Sequence, residues 1–343
     1  MHMEEPLTTG SATSKGKAAL IGRLVKNFQP GWNSTLKGPG DDAAVLGYGG
    51  KSLVWTTDLL LEGVHFDLTY FPLKHLGYKA ASVNFSDVYA MNAVPRQILV
   101  SLGVSAKMSP DRLEDLYEGL RIACEEHRVD LAGGDLTSSL TGLTISVTVL
   151  GEVEDQVVYR NTAREGDLLC VSGDLGSAYL GLQILEREKR LFQENKGFQP
   201  RLEGYDYVLQ RQLRPAARKE IPALLKERGI RPTAMIDVSA GLSEDLQALC
   251  SASALGCKIY EHKIPIAAPA EAVASELNIS PMVAAMNGGE DYELLFSVAV
   301  EDYPKLIGME EISIIGHLVS PEEGLQIITS RDESMDLDEW KIL

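Results

Sequence analysis

The stretch "REGDLLCVSGDLGSAYLGLQIL", residues 164–185, decides how the chain is organised. Leu168 to Val171 form an apolar run of strand length, glycines at 173 and 176 interrupt it, and a helical pattern follows from Ser177. Strand, glycine turn and helix in succession make the basic unit of an α/β layer. The device returns at 234–255 in "AMIDVSAGLSEDLQALCSASAL", and "DYELLFSVAV" (291–300) and "ISIIGHLV" (312–319) supply later strands. Residues 188–212, highly charged with scattered Gly and Pro, read as a surface excursion.

Upstream the pattern is similar but differently spaced. "KAALIGRLVKNF" (17–28) has helical period, "SLVWTTD" (52–58) reads as a strand, and Pro72 opens a helix through about Met91. A strand at 97–105, a helix from Ser109-Pro110 to about Arg128, a short strand at 129–134 and a longer one at 143–153 complete this half. With 343 residues the chain exceeds what one core usually serves. The fold class is therefore α/β (α+β) with two domains, expected at 17–153 and 154–343.

Composition narrows the partners. Lys and Arg total 32 against 49 Asp and Glu, a net charge of −17, which argues against nucleic acid or an anionic membrane as partner. Carboxylates gathered at one site can still hold divalent cations, and those cations can hold phosphates. Cys124, Cys170, Cys250 and Cys257 show no C-x-x-C pair and no His at zinc spacing, as expected of reduced core residues in a cytoplasmic protein. No apolar run reaches about 18 residues. The first 16 residues are polar, read as a flexible tail, and lack the basic-then-apolar plan of a signal peptide.

The acids carry the functional reading. Asp41-Asp42 in "GPGDDAAV" (38–45), Asp58 after "VWTT", Asp135 after "LAGG" and Asp237 in "AMIDVS" all sit at strand ends or turns, where each alone could be a cap or turn former. Asp87 is different. In the helix from Pro72, the stripe Leu76, Ala80, Val83, Asp87, Ala90 places it on the face to be buried. An ionised carboxylate there costs several kcal/mol unless it is paired, with Lys79 or Arg96 as candidates, or bound to a metal. Mg²⁺ takes oxygen ligands and substrate phosphates, and Thr56 and Thr57 could add oxygen donors. Neither a G-x-x-x-x-G-K-[ST] loop nor a G-x-G-x-x-G turn after a first strand is present. "VSGDLGSAYLGL" offers only the weaker signal of glycines before a helix. His65 in "EGVHF" follows a loop, where a lone His is more often a structural donor than a catalyst, while Glu290 and Asp291 in "NGGEDYELLF" stand between a Gly-Gly turn and a strand, a position that faces a ligand.

In order along the chain stand "GDDAAV", "TTDLLLEGVHF", "YKAASVNFSDVYAMNAVP", "GGDLTSS", "REGDLLCVSGDLGSAYLGL", "MIDVSAGLSEDL" and "GGEDYELLF". This series resembles the thiamine-monophosphate kinase family of the aminoimidazole ribonucleotide synthetase-like superfamily, from about residue 17 to the end. The resemblance implies ATP-dependent phosphorylation of thiamine monophosphate to thiamine diphosphate with several Mg²⁺ ions. It implies an N-terminal domain that forms a sheet or barrel across a homodimer and a C-terminal α/β domain over the nucleotide. By motif matching, Asp42, Thr56, Thr57, Asp58, Asp87, Asp135 and Asp237 would be metal ligands. Gly134, Asp135, Arg160 and Ser239 would meet ATP, and His65, Glu290 and Trp340 the thiamine phosphate, with no side-chain nucleophile.

One position departs from the family pattern. Members usually read "DxSDGL" where this chain has "DVSAGL", so Ala240 stands where an Asp would help hold a metal. Glu244 and Asp245, one turn further on, are the candidates to make up for it. Two rivals follow: a sister ATP-dependent enzyme such as aminoimidazole ribonucleotide synthetase, and a catalytically weakened nucleotide or thiamine-phosphate binding protein. A selenophosphate synthetase would show a reactive Cys near the N-terminus, and none precedes Cys124.

Overall fold

In the computed structural model, residues 21, 24–26, 31–195, 197 and 199–337 are described. The polar tail, most of the expected helix over 17–28, and Trp340 lie outside them. Strands β1 (Thr35–Lys37), β2 (Ala44–Tyr48) and β3 (Lys51–Leu61) run antiparallel. Gly49 and Gly50 link β2 to β3 at φ 59° and 80°, the left-handed pair that a two-residue hairpin requires. Helix α1 (Leu73–Ala90) follows Pro72, which has no N–H to leave unsatisfied at a helix start. Strand β4 (Val94–Val104), helix α2 (Pro110–His127) and strand β5 (Asp130–Ser138) form a parallel crossover, and β6 (Thr144–Glu152) inserts between β3 and β4.

The six strands lie in the order β1-β2-β3-β6-β4-β5. This sheet is open: within one chain the described strands close no barrel. Strand β5 runs on to Ser138, beyond the expected end at 134, because its ladder to β4 continues as far as Val104↔Ser138. Helices α1 and α2 cover one face and approach each other at reciprocal glycines. A Cβ on Gly77 would lie 1.9 Å from Leu116 O, and one on Gly119 would lie 1.9 Å from Lys74 O. The opposite face leaves Trp55, Leu59 and Leu99 exposed.

The second half begins with β7 (Leu168–Ser172), α3 (Ser177–Glu194), α4 (Asp206–Leu213), α5 (Glu220–Glu227) and β8 (Ala234–Val238). It continues through α6 (Leu242–Ser253), β9 (Gly256–Tyr260), α7 (Ala268–Leu277), α8 (Pro281–Asn287) and β10 (Glu293–Val298). The last elements are α9 (Tyr303–Leu306), β11 (Ile312–Val319), β12 (Leu325–Ile328) and β13 (Ser334–Asp336). The sheet order is β13-β12-β9-β11-β7-β10-β8, antiparallel except for β9 with β12. The expected excursion at 188–212 is helical over much of its described length. Helix α3 continues to Glu194, and α4 packs on it so closely that a Cβ on Gly181 would lie 2.1 Å from Val208 O.

One hydrophobic cluster joins the halves, running from Val83 and Val88 of α1 to Met235 of β8 and Phe296 of β10. Helix α1 is therefore buried almost all round, between the first sheet and the second. That position carries Asp87 toward the end of β8. Among the described residues no helix is long and apolar enough to cross a membrane.

Candidate active site

Asp41 and Asp42 are adjacent in sequence but have different surroundings. Both oxygens of Asp41 accept from the Arg160 backbone N–H at 3.4 Å, and Arg160 Nε lies 3.3 Å from its Oδ1. Asp42 pairs through Oδ1 with Arg160 Nη2, while its Oδ2 is buried without a hydrogen-bond partner among the described residues. Asp41 thus steadies the turn and Arg160, and Asp42 presents an oxygen inward.

Two other elements bring carboxylates beside Asp42. Alternation along β3 turns Thr56 and Asp58 toward α1, and Thr56 Oγ1 donates to Asp87 Oδ2 at 2.7 Å. Strand β8 supplies Asp237, whose Oδ2 is also buried and unpartnered. One carboxylate oxygen from each of Asp42, Asp87 and Asp237 lies within 4.8 Å of the others. Neither candidate pairing for Asp87 forms: Lys79 bonds Glu290 at 3.1 Å, and Arg96 bonds Glu152 and Glu154.

Burial raises the pKa of all three carboxyls, and the negative neighbours add to it. For Asp87 these are Asp58, Asp237 and Asp42; Arg160 opposes the rise at Asp42. Like charges held this close without enough cations favour a positive guest. A set of hard oxygen donors, two lacking any proton donor, fits Mg²⁺.

Beside the cluster lies a cavity of about 530 Å³, lined by Asp58, His65, Lys79, Ser239, Ala240 and Glu290 among others. His65 accepts the Leu61 N–H at Nδ1, 3.0 Å away, which assigns its own proton to Nε2. Ser239 O accepts the Glu290 N–H at 2.8 Å. Ala240, with no side chain beyond a methyl group, is among the residues lining the cavity. Asp245 Oδ2 accepts the N–H groups of Ala240 and Gly241 at 2.9 and 3.1 Å, so this acid serves the turn itself.

Of the remaining candidates, Thr57 lines the cavity along β3 but turns its hydroxyl to the open face of the sheet, donating to Val147 O at 2.9 Å. Asp135 lies on β5, in register with Ser101 of β4, three strands from β3 and about 14 Å across the sheet. Gly134 lies beside it, where a Cβ would come 1.9 Å from Val100 O, so close strand packing alone demands glycine. One chain therefore does not bring Gly134 and Asp135 to the cluster. A larger groove of about 740 Å³, between α2 and β5, contains none of the candidate residues.

Lys79 lines the cavity, a role its i, i+4, i+8 stripe with Val83 and Asp87 could have signalled. Gln212, which bonds the lining residue Glu290, lies on α4 inside the stretch assigned to the surface. Tyr292, another lining residue, carried no signal beyond its place in "GGEDYE".

Comparison with known proteins places this geometry. Models of the AIR synthase related protein match in both halves, the N-terminal domain over residues 40–153 and the C-terminal domain over 164–328. The two-domain fold is thus that of the AIR synthase-related proteins. Thiamine-monophosphate kinase of Aquifex aeolicus is 36% identical over 273 residues, 80% of this chain and 84% of the relative. That of Bacillus subtilis is 34% identical over 272 residues, covering 78% and 79%. A solved structure, AaThiL complexed with AMPPCP and TMP, superposes with a TM-score of 0.77 at 31% identity, covering 91% of this chain and 92% of that one. The chain belongs to the thiamine-monophosphate kinase family, a family of phosphotransferases.

Proposed function

We propose that this protein transfers the γ-phosphoryl group of ATP to the phosphate of thiamine monophosphate, giving thiamine diphosphate and ADP. The observation that carries the reading is the trio Asp42, Asp87 and Asp237, with two buried oxygens lacking donors beside a cavity of substrate size. The AMPPCP and TMP of the AaThiL complex support the same pair of ligands here. Asp42, Asp87 and Asp237, with Asp58 and the Thr56 hydroxyl, would hold Mg²⁺. When bound, Mg²⁺ neutralises phosphate charge so that two anions can approach.

The chain's own groups then have defined tasks. The acceptor phosphate is already ionised near neutral pH, so no strong general base is needed for its oxygen to attack the γ-phosphorus in line with departing ADP. Arg160, anchored by Asp41 and Asp42, and Ser239 would orient ATP. His65, Glu290 and, outside the described residues, Trp340 would hold the acceptor. The exposed Trp55, Leu59 and Leu99 support a homodimer built on the open face of the first sheet. Thr57 and Asp135 share that face, which fits a site completed by a second subunit. Four free buried cysteines suit a cytoplasmic, reducing setting.

The test is an assay with thiamine monophosphate, ATP and Mg²⁺. Thiamine diphosphate should form and should stop forming when the metal is chelated; no Mg²⁺-dependent product would reject the proposal. Ala240 favours a second reading, a binding protein of weak turnover, because the cavity wall lacks a carboxylate there. Tight calorimetric binding of both ligands beside negligible product would select it.

A further inference from the structure

Lys79 is among the largest fully buried side chains of the molecule, with 1% of its side chain exposed. A buried ammonium needs partners, and three converge on it. Nζ donates to Gln212 O at 3.2 Å and to Glu290 Oε2 at 3.1 Å, and it lies 5.4 Å from the centre of the Phe71 ring. Gln212 Nε2 donates to the same Oε2 at 3.0 Å. Both donors therefore grip one oxygen of Glu290, Oε2. The Glu290 side chain is 29% exposed, at the wall of the cavity.

The backbone around Glu290 is held at some cost. Gly289 has φ 70°, but Glu290 at 58° and Tyr292 at 52° adopt left-handed conformations without glycine's freedom. Hydrogen bonds of 2.8 Å, from Glu290 N–H to Ser239 O and from Tyr292 N–H to Val238 O, tie this loop to the end of β8 that carries Asp237. Lys79 comes from the first half of the chain, Glu290 and Gln212 from the second. On α1, Lys79 is about 12 Å from Asp87, so it serves the opposite end of the cavity from the acid cluster.

Charge decides what Glu290 can receive. A carboxylate repels phosphate and attracts a cation or an N–H donor, and thiamine monophosphate offers both, in its thiazolium and aminopyrimidine rings. We propose that Lys79, seconded by Gln212, is a positioning residue that locks Glu290 to receive the cationic heterocyclic end of the acceptor. It thereby sets selectivity for the acceptor without touching ATP. This inference rests on the kinase reading above.

The experiment compares the full-length protein with Lys79→Met, Lys79→Arg, Glu290→Gln and the Lys79→Met/Glu290→Gln pair. Steady-state kinetics for each substrate are combined with calorimetric binding of thiamine monophosphate in the absence of ATP. Lys79→Met should raise the KM and Kd for thiamine monophosphate about 10-fold, leaving the KM for ATP unchanged. Glu290→Gln should do the same, the pair should be no worse than either alone, and Lys79→Arg should recover much of the affinity. Unchanged acceptor affinity in Lys79→Met, an equal rise in both KM values, or additive effects in the pair would overturn the proposal. Should Lys79→Met not fold, Gln212→Met removes the second donor and must still weaken the acceptor alone; an unchanged Kd would overturn the proposal. Failure of the kinase reading shows instead as absent turnover in the wild type, whereas the binding arm tests the positioning independently.

Discussion

Two groups of buried carboxylates differ in what neutralises them. In the second domain Glu293, fully buried, is gripped by both arms of Arg218, by Arg211 Nη2 at 2.8 Å and by the Ser172 hydroxyl at 2.6 Å. Beside it, Asp291 accepts the backbone N–H groups of Gly176 and Ala178 at 2.7 and 3.3 Å, securing the start of α3. Of the trio, Asp237 is buried and Asp42 and Asp87 are partly so, but its cations are not built in: among the described residues Arg160 reaches Asp42 and only a hydroxyl reaches Asp87. Compensation within the chain marks a structural group, and its lack in so enclosed a place marks a site kept ready for a positive guest.

The contrast can be tested from both sides. Asp87→Asn, at the deficient cluster, should lower turnover by about 10²- to 10³-fold, and without Mg²⁺ it should raise the unfolding temperature, because a like charge is gone. A lower unfolding temperature in calorimetry would erase the distinction. Glu293→Gln should act in the opposite way. It strands Arg211 and Arg218 in the interior and should cost about 3–5 kcal/mol in a denaturant titration.

Smaller effects refine the comparison. Ala240→Asp adds a carboxylate where the cavity has a methyl group; it should tighten Mg²⁺ about 10-fold by calorimetry and lower the stability of the metal-free protein. The weakest expected effect belongs to Asp291, which Arg211 approaches only to 3.9 Å. Burial raises its pKa to about 7 from 3.8 despite Arg211 and the two N–H groups. Since the folded state holds this proton longer than the unfolded chain, its contribution to stability is full below pH 3.8 and is lost as pH rises toward 7. Measured melting curves of Asp291→Asn should therefore lack part of the wild-type decline between those values.

Much of this was legible beforehand because it depends on local pattern. "SLVWTTD" marked most of β3, which runs on to Leu61, and Pro72 and Ser109-Pro110 marked the starts of α1 and α2. The helical stripe put Asp87 on a buried face, and burial of an unpaired acid was itself the signal of a site. The strand over 129–134 came out too short, since hydrogen bonding to β4 rather than apolar content sustains β5. Gln212 was invisible for a related reason: the charges over 188–212 hid the face that α4 packs against α3.

The sequence by itself determined the main strands and helices of each half, their order, the inward face of Asp87 and the set of motifs that places the chain in its family. Only tertiary structure decided that Asp42, Asp87 and Asp237 meet, that Asp41 serves Arg160, that Lys79 answers Glu290 rather than Asp87, and that Asp135 lies on the far face of the sheet. Periodicity reports which side of an element faces inward, a property of a few neighbouring residues. Which inward faces then touch depends on how α1 is packed between two sheets drawn from distant parts of the chain, and no local pattern records that.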